Sequence, residues 1–204
     1  MKRVHIIPVF VFSFACAAMG GSTQQHEHAK SVQTSAAKAV LAAPSSIHEE
    51  HVHLHQELEA ALASGGKTAA AAKAVADVLV PHFEAEEAYA MPPLGLLEAI
   101  AHDQPVSAEQ AREAITMAGQ LRTHYEQMIQ EHRQIEAALK ALAAAAKEEH
   151  KTGALAFAET LTLHAKNEEQ VLYPATLLVG KYLKLRQTAG SAADSDRAPV
   201  PVKR

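Results

Sequence analysis

The feature that most constrains this chain is a repeated pattern of one histidine, two later glutamates and a closing proline. Residues 82–92 read HFEAEEAYAMP, and residues 164–174 read HAKNEEQVLYP. In each copy a glutamate follows the histidine four places later, as Glu86 and as Glu168. Residues four apart on a helix lie nearly above one another, so each copy presents an imidazole and a carboxylate on one face.

A further histidine precedes each copy at almost the same distance. His51 ends the triplet EEH, and His132 ends the triplet QEH. The chain therefore offers the same set twice, with one histidine on a first helix and a histidine with a glutamate on a second. The six residues of this repeat are His51, His82, Glu86, His132, His164 and Glu168.

Composition predicts a soluble protein made of helices. Long alanine-rich runs favour helix, and no stretch of alternating β-branched residues indicates a sheet. We expect an all-α fold, an up-down-up-down four-helix bundle built from two repeated helix pairs. The net charge of −4 provides no basic surface, so neither nucleic acid nor an anionic membrane is an expected partner.

The amino terminus predicts export from the cytoplasm. Residues 1–20 carry two basic residues directly after Met1, continue as an apolar run and end in small residues, as a signal peptide does. We expect a periplasmic or extracellular protein with no stable membrane insertion after signal removal. A lipid anchor at Cys16, the single cysteine, is the less favoured alternative. The remaining predicted regions are a linker at 21–46, the bundle at 47–185 and a disordered tail at 186–204.

Two capping boxes predict helix starts. Ser46 with Glu49 predicts the start of the first helix, and Ser107 with Gln110 predicts the start of the third. The third helix is expected to be long, with Gly119 the one place where it would break.

All six repeat residues fall on the predicted buried faces of their helices. On the fourth helix, for example, the face continues from Glu168 to Val171 and Ala175. Burying an unpaired carboxylate costs several kcal/mol, and an unsatisfied polar group costs about 1–3 kcal/mol. Hydrogen-bonded His–Glu pairs without a metal are one solution for such groups. Six symmetrically placed groups favour a metal site instead.

The ligand types limit the choice of metal. Thiolates are absent from the set, and six ligands exceed the four of a structural zinc site. Divided by the repeat, the ligands provide for two ions, and a carboxylate can bridge them. Imidazole with carboxylate suits iron, with manganese or zinc as competitors. The sequence therefore predicts two metal ions as the cofactor, with two iron ions preferred and manganese or zinc possible.

This constellation resembles the hemerythrin-like, HHE cation-binding domain family over roughly residues 47–185. The resemblance implies a non-haem di-iron centre in a four-helix bundle. It makes His51 and His132 the ligands of the first and third helices, and Glu86 and Glu168 the bridges. It also implies a small ligand or substrate such as dioxygen, peroxide or nitric oxide.

Two departures keep several functions open. Oxygen-carrying members have a histidine four places before the third-helix histidine, where this chain has Met128. They end the fourth-helix motif with an aspartate five places after its histidine, where this chain has Glu169. The four-His, two-Glu set is closer to the iron–sulfur-cluster repair members. A di-iron oxidase, an iron donor for damaged clusters and a non-redox metal store are therefore alternatives to oxidant binding.

Several neighbours of the six residues compete for a place in the site. His48 and His55 flank His51 on the same side of the first helix, although neither has a histidine counterpart in the second repeat. Tyr89 and Tyr125 are interpreted as core residues. Four glutamates adjacent to predicted ligands are candidates for contacts to the ligand imidazoles, namely Glu50, Glu87, Glu131 and Glu169.

Overall fold

Residues 41–195 are described by the computed structural model, and they contain helices and no strand. The predicted signal peptide and most of the predicted linker lie outside this range. The α-helices are α1 Ser45–Ala63, α2 Gly66–Ala85, α3 Leu97–Ala101, α4 Ala108–Glu148, α5 Thr152–Asn167 and α6 Tyr173–Ser195. Two π-helical turns, Glu86–Ala90 and Glu168–Leu172, and a 3-10 helix, Pro92–Leu96, join some of them.

The helices pack as a bundle, which confirms the predicted all-α fold class. Helix α4 packs against α2, α5 and α6, and α1 packs against α2 and α5. With 41 residues, α4 is about 60 Å long, so it spans the bundle from end to end. Gly119 does not interrupt it.

The start of α4 agrees with the prediction, whereas the start of α1 does not. The Ser107 hydroxyl accepts from the Gln110 backbone N–H, and the Gln110 side chain accepts from the Ser107 N–H, each at 3.1 Å. The capping box predicted at Ser46 is wrong, because α1 already begins at Ser45 and has no side-chain cap. The Pro44 carbonyl instead accepts from the Ile47 N–H at 3.0 Å.

The ordered helices extend beyond the predicted bundle at its carboxyl end. Helix α6 runs to Ser195, and its buried Val179 and Leu183 pack on the amino-terminal half of α4. At Gly180 an added Cβ would lie 2.4 Å from the Ala118 Cβ, so the glycine allows the two helices to approach closely. These contacts hold α6 on α4 as far as Leu183, and the helix continues from there to Ser195, where the composition indicated a disordered tail.

At the opposite end of the bundle, Glu149, directly after α4, caps the first turn of α2. The Glu149 carboxylate accepts from the backbone N–H groups of Lys67 at 2.8 Å and Thr68 at 2.9 Å, and from the Thr68 hydroxyl at 2.7 Å. The hydroxyl and the two backbone hydrogen bonds lower the pKa of Glu149 to about 2. The cap therefore fixes the start of α2 relative to the end of α4.

Two apolar clusters flank the polar residues of the repeat. Along α1, Ile47 belongs to one cluster and Leu54 to the other, with the buried His51 between them. The same order holds on α4, where His132 lies between Met128 and Ile135. Among residues 41–195, no helix is both long enough and apolar enough to cross a membrane.

Candidate metal centre

The six repeat residues come together in the middle of the bundle as two overlapping groups. Each of the six is at most 4% exposed. One group joins His51 and His164 to the two glutamates, and the other joins His82 and His132 to the same glutamates. We call these the α1/α5 position and the α2/α4 position. Within each group the donor atoms all lie within 4.8 Å of one another.

The two glutamates span both positions. Glu168 Oε1 lies 2.9 Å from His164 Nε2 and 3.4 Å from His51 Nε2, whereas its Oε2 lies 3.3 Å from His132 Nε2. Glu86 Oε1 lies 3.4 Å from His82 Nε2, and its Oε2 lies 3.7 Å from His51 Nε2. Each carboxylate thus directs one oxygen to each position, which is the arrangement that a bridging carboxylate requires.

A π-helical turn begins at each of these glutamates. A π-turn holds one more residue than an α-turn, so it shifts the buried face of the following helix by one residue. Val171, which the α-helical period placed in the core, is 53% exposed, and that prediction is wrong. Tyr173 is fully buried in its stead. In the first copy the shift buries Met91, while Tyr89 is only half-buried.

Outside the six residues, four glutamates approach the outer ring nitrogens of the histidines. Each histidine meets a glutamate from the next helix around the bundle, so the contacts form a closed ring. The Nδ1-to-carboxylate distances are 2.9 Å for His51–Glu87, 2.8 Å for His82–Glu131, 3.0 Å for His132–Glu169 and 3.1 Å for His164–Glu50. Such partners fix the tautomer and turn Nε2 towards the centre. The last contact lacks hydrogen-bond geometry.

The pKa values of the buried side chains are shifted by the close contacts between histidines and glutamates. Burial lowers the pKa values of His82 and His164, but the adjacent carboxylates of Glu86 and Glu168 outweigh it and raise both to about 9. Burial would raise the pKa of Glu168, yet hydrogen bonds from the histidines hold it well below its ordinary value. Burial and the charge of Glu168 raise the pKa of Glu86. The close carboxylates thus favour protonated His82 and His164, and a cation bound at the centre would compete with these protons.

Buried donor atoms without partners show that a metal fits this centre. Glu86 Oε2 is buried and has no hydrogen-bond partner, and the buried His164 Nε2 lies 2.9 Å from Glu168 Oε1 without hydrogen-bond geometry. Leaving such atoms unsatisfied is costly, whereas a cation between them would satisfy both. The donor set of imidazoles and carboxylates suits iron, manganese or zinc.

The competing histidines stay outside the two groups. His48 is exposed, with its Nδ1 3.4 Å from Glu87 Oε1, and His55 packs on the edge of Phe83 at 5.3 Å. Tyr89 donates its hydroxyl to the Met128 sulfur at 3.3 Å, so neither side chain supplies a donor to the centre in this arrangement.

Tyr173 is the residue at the centre that sequence reasoning missed. Its hydroxyl donates to Glu86 Oε1 and lies 3.4 Å from His82 Nε2 and 3.3 Å from His132 Nε2. The available signal was its place in the repeat. Tyr173 directly precedes the closing proline, where the first copy has Met91.

The sequence model of the hemerythrin HHE cation binding domain matches residues 42–176. The chain belongs to this family. Hemerythrin domains bind small ligands such as oxygen at their metal site. Searches of curated proteins and of solved structures give no match to the chain.

Proposed function

We propose that this hemerythrin domain holds two iron ions, one at the α1/α5 position and one at the α2/α4 position. The observation that supports this most strongly is the pair of glutamates, Glu86 and Glu168, each with one oxygen directed to each position. In this proposal the four histidines are terminal ligands and the two glutamates are bridges. Manganese and zinc are the competing metals.

The proposal includes the finer topology of the bundle. Short connections link α1 to α2 and α4 to α5, because α1 ends at Ala63 before Gly66 and α4 ends at Glu148 before Thr152. Helices joined this way run antiparallel, which supports an up-down-up-down order of two repeated pairs.

We further propose that the iron centre binds or reacts with a small oxidant such as dioxygen, peroxide or nitric oxide. A bound iron pair supplies electrons and coordination positions for such a molecule, while the protein holds the donors and excludes bulk water. Because the six residues are almost completely buried, only small molecules could reach them. A pocket of ≈ 220 Å³ between α4 and α5 reaches the edge of the centre at His132 and Glu169, with Arg133 and Lys166 among its lining residues.

Export remains part of the proposal because of the signal-like residues 1–20. The mature protein should begin between about Ala18 and Ser22, and sequencing the amino terminus of protein from its native compartment checks this. An intact Met1 would contradict it.

The function is tested on protein purified without oxygen and loaded with ferrous iron. We expect two irons per chain and a fast change of the visible spectrum when the protein is mixed with oxygenated buffer, peroxide or nitric oxide in a stopped-flow instrument. The Glu168→Ala variant should lose both properties, and the exposed His124→Ala variant should keep them.

The outcomes separate the functions. Fast one-way oxidation supports a reactive centre, and fully reversible oxygen binding supports a carrier. Two bound irons with no spectral response to any of the three oxidants would contradict oxidant binding and favour a metal store.

A further inference from the structure

Tyr173 places a phenol oxygen among the donors of one metal position only. We propose that this oxygen is a seventh protein ligand, which binds the metal at the α2/α4 position as a phenolate. The proposal rests on the proposed two-metal site and makes its two positions chemically different.

The distances around the hydroxyl are those expected between ligands of one ion. The Tyr173 oxygen lies 3.4 Å from His82 Nε2 and 3.3 Å from His132 Nε2. The donor pairs of the same position, His82 with Glu86 and His132 with Glu168, are separated by 3.4 Å and 3.3 Å. Two donors with metal bonds of about 2.1 Å at near-right angles lie roughly 3 Å apart, so the phenol oxygen fits the same coordination shell.

The ring of Tyr173 is held in this orientation from several sides. It stacks on the His132 ring, with 5.6 Å between centroids and 14° between planes, and the Tyr125 ring packs against it edge-on at 6.2 Å. Its side chain is fully buried in an apolar cluster with Met91 and Met128. The hydroxyl therefore finds its polar partners at the centre, in Glu86, His82 and His132.

Metal binding would exchange one bond of this hydroxyl for another. In the metal-free chain the phenol is protonated and donates its hydrogen to Glu86 Oε1. On binding, the O–H bond breaks, the oxygen forms a bond to the metal, and the proton leaves to the buffer. No oxidant or reductant is needed for this step. A nearby cation stabilises a phenolate as it stabilises other deprotonated ligands.

The consequence is an unequal pair of positions. The α2/α4 position would have two imidazoles, two carboxylate oxygens and a phenolate, whereas the α1/α5 position would have two imidazoles and two carboxylate oxygens. The first copy of the repeat has Met91 at the place of Tyr173, so it supplies no matching oxygen. The α1/α5 position would then keep more room for a small external ligand.

The test compares Tyr173→Phe with Tyr89→Phe, a matched loss of a hydroxyl that bonds to Met128 rather than to the centre. Each protein is loaded with ferrous iron, its metal content is counted, and it is then oxidised to the ferric form. A phenolate bound to ferric iron absorbs visible light by charge transfer, and resonance Raman excitation in that band shows phenolate vibrations. We expect both signals in the wild type and in Tyr89→Phe, and neither in Tyr173→Phe.

Each other outcome is decisive. A wild type that holds two irons and shows no phenolate signal would overturn the Tyr173 assignment and leave the two-metal site intact. Retention of the signal in a folded Tyr173→Phe variant, whether or not Tyr89→Phe keeps it, would also overturn it. A wild type that binds no iron would overturn both proposals. If Tyr173→Phe fails to fold, the wild type and Tyr89→Phe still test the proposal, because absence of the phenolate vibrations from both would overturn it.

Discussion

The α1/α5 and α2/α4 positions share Glu86 and Glu168 but have different surroundings. At the α2/α4 position the Tyr173 hydroxyl lies beside both imidazoles. At the α1/α5 position the nearest aromatic residue is instead an apolar one. Phe83 stacks on the His51 ring at 4.3 Å and meets the His164 ring edge-on at 5.8 Å.

The contacts between the outer glutamates and the histidine Nδ1 atoms are also more complete at the α2/α4 position than at the α1/α5 position. Glu131 and Glu169 hydrogen-bond the two imidazoles of the α2/α4 position. At the α1/α5 position Glu87 does so for His51, but the contact of Glu50 with His164 lacks hydrogen-bond geometry, and the Glu50 side chain is 46% exposed. The six matched residues thus face the centre at both positions, while residues that differ between the two copies, such as Tyr173 and Met91, make the two positions unequal. We expect that inequality to direct a small ligand to the α1/α5 position.

The largest effects should come from removing a shared ligand rather than a ligand of one position. Glu168→Ala should reduce iron from two per chain to nearly none, because both positions lose an oxygen. His51→Ala and His132→Ala should each empty chiefly one position. Metal analysis of the purified variants measures this. His53→Ala and His124→Ala are the controls, since both side chains are exposed and should leave two irons bound. Loss of metal in His124→Ala with full occupancy in His132→Ala would refute the ligand assignment.

Smaller effects should follow from changes to the outer carboxylates. Glu131→Gln removes a charged partner 2.8 Å from His82 Nδ1 and should weaken metal binding by about 10–100-fold. Glu50→Gln should weaken it less, because its contact with His164 is longer and poorly aligned. Competition of each variant with a chelating dye gives the affinities. Equal losses in the two variants would show that the outer contacts do not distinguish the positions.

The sequence predicted much of this centre because its signals were local and repeated. The spacing of His164 and Glu168 predicts one helical face, and the second copy at His82 and Glu86 makes chance improbable. The four outer glutamates were visible as neighbours of predicted ligands. Family membership and the helical fold followed from the same residues.

Other features could not be predicted from the α-helical period of 3.6 residues, because they depend on contacts between residues distant in the sequence or on a local change of helix type. The π-turn at Glu168 moved Val171 to the surface and brought Tyr173 into the centre. A helical period of 3.6 residues per turn applied throughout residues 164–175 does not predict such a turn. The close approach of α6 to α4 likewise depends on Gly180 lying against Ala118, which is distant in the sequence.

The most direct test of the two-position centre is an anomalous-scattering map at the iron absorption edge, from crystals of protein loaded anaerobically with ferrous iron. We predict two peaks per chain. One lies between His51 and His164, the other lies between His82 and His132, and the carboxylates of Glu86 and Glu168 connect them. A single peak, or iron bound away from these six residues, would contradict the account.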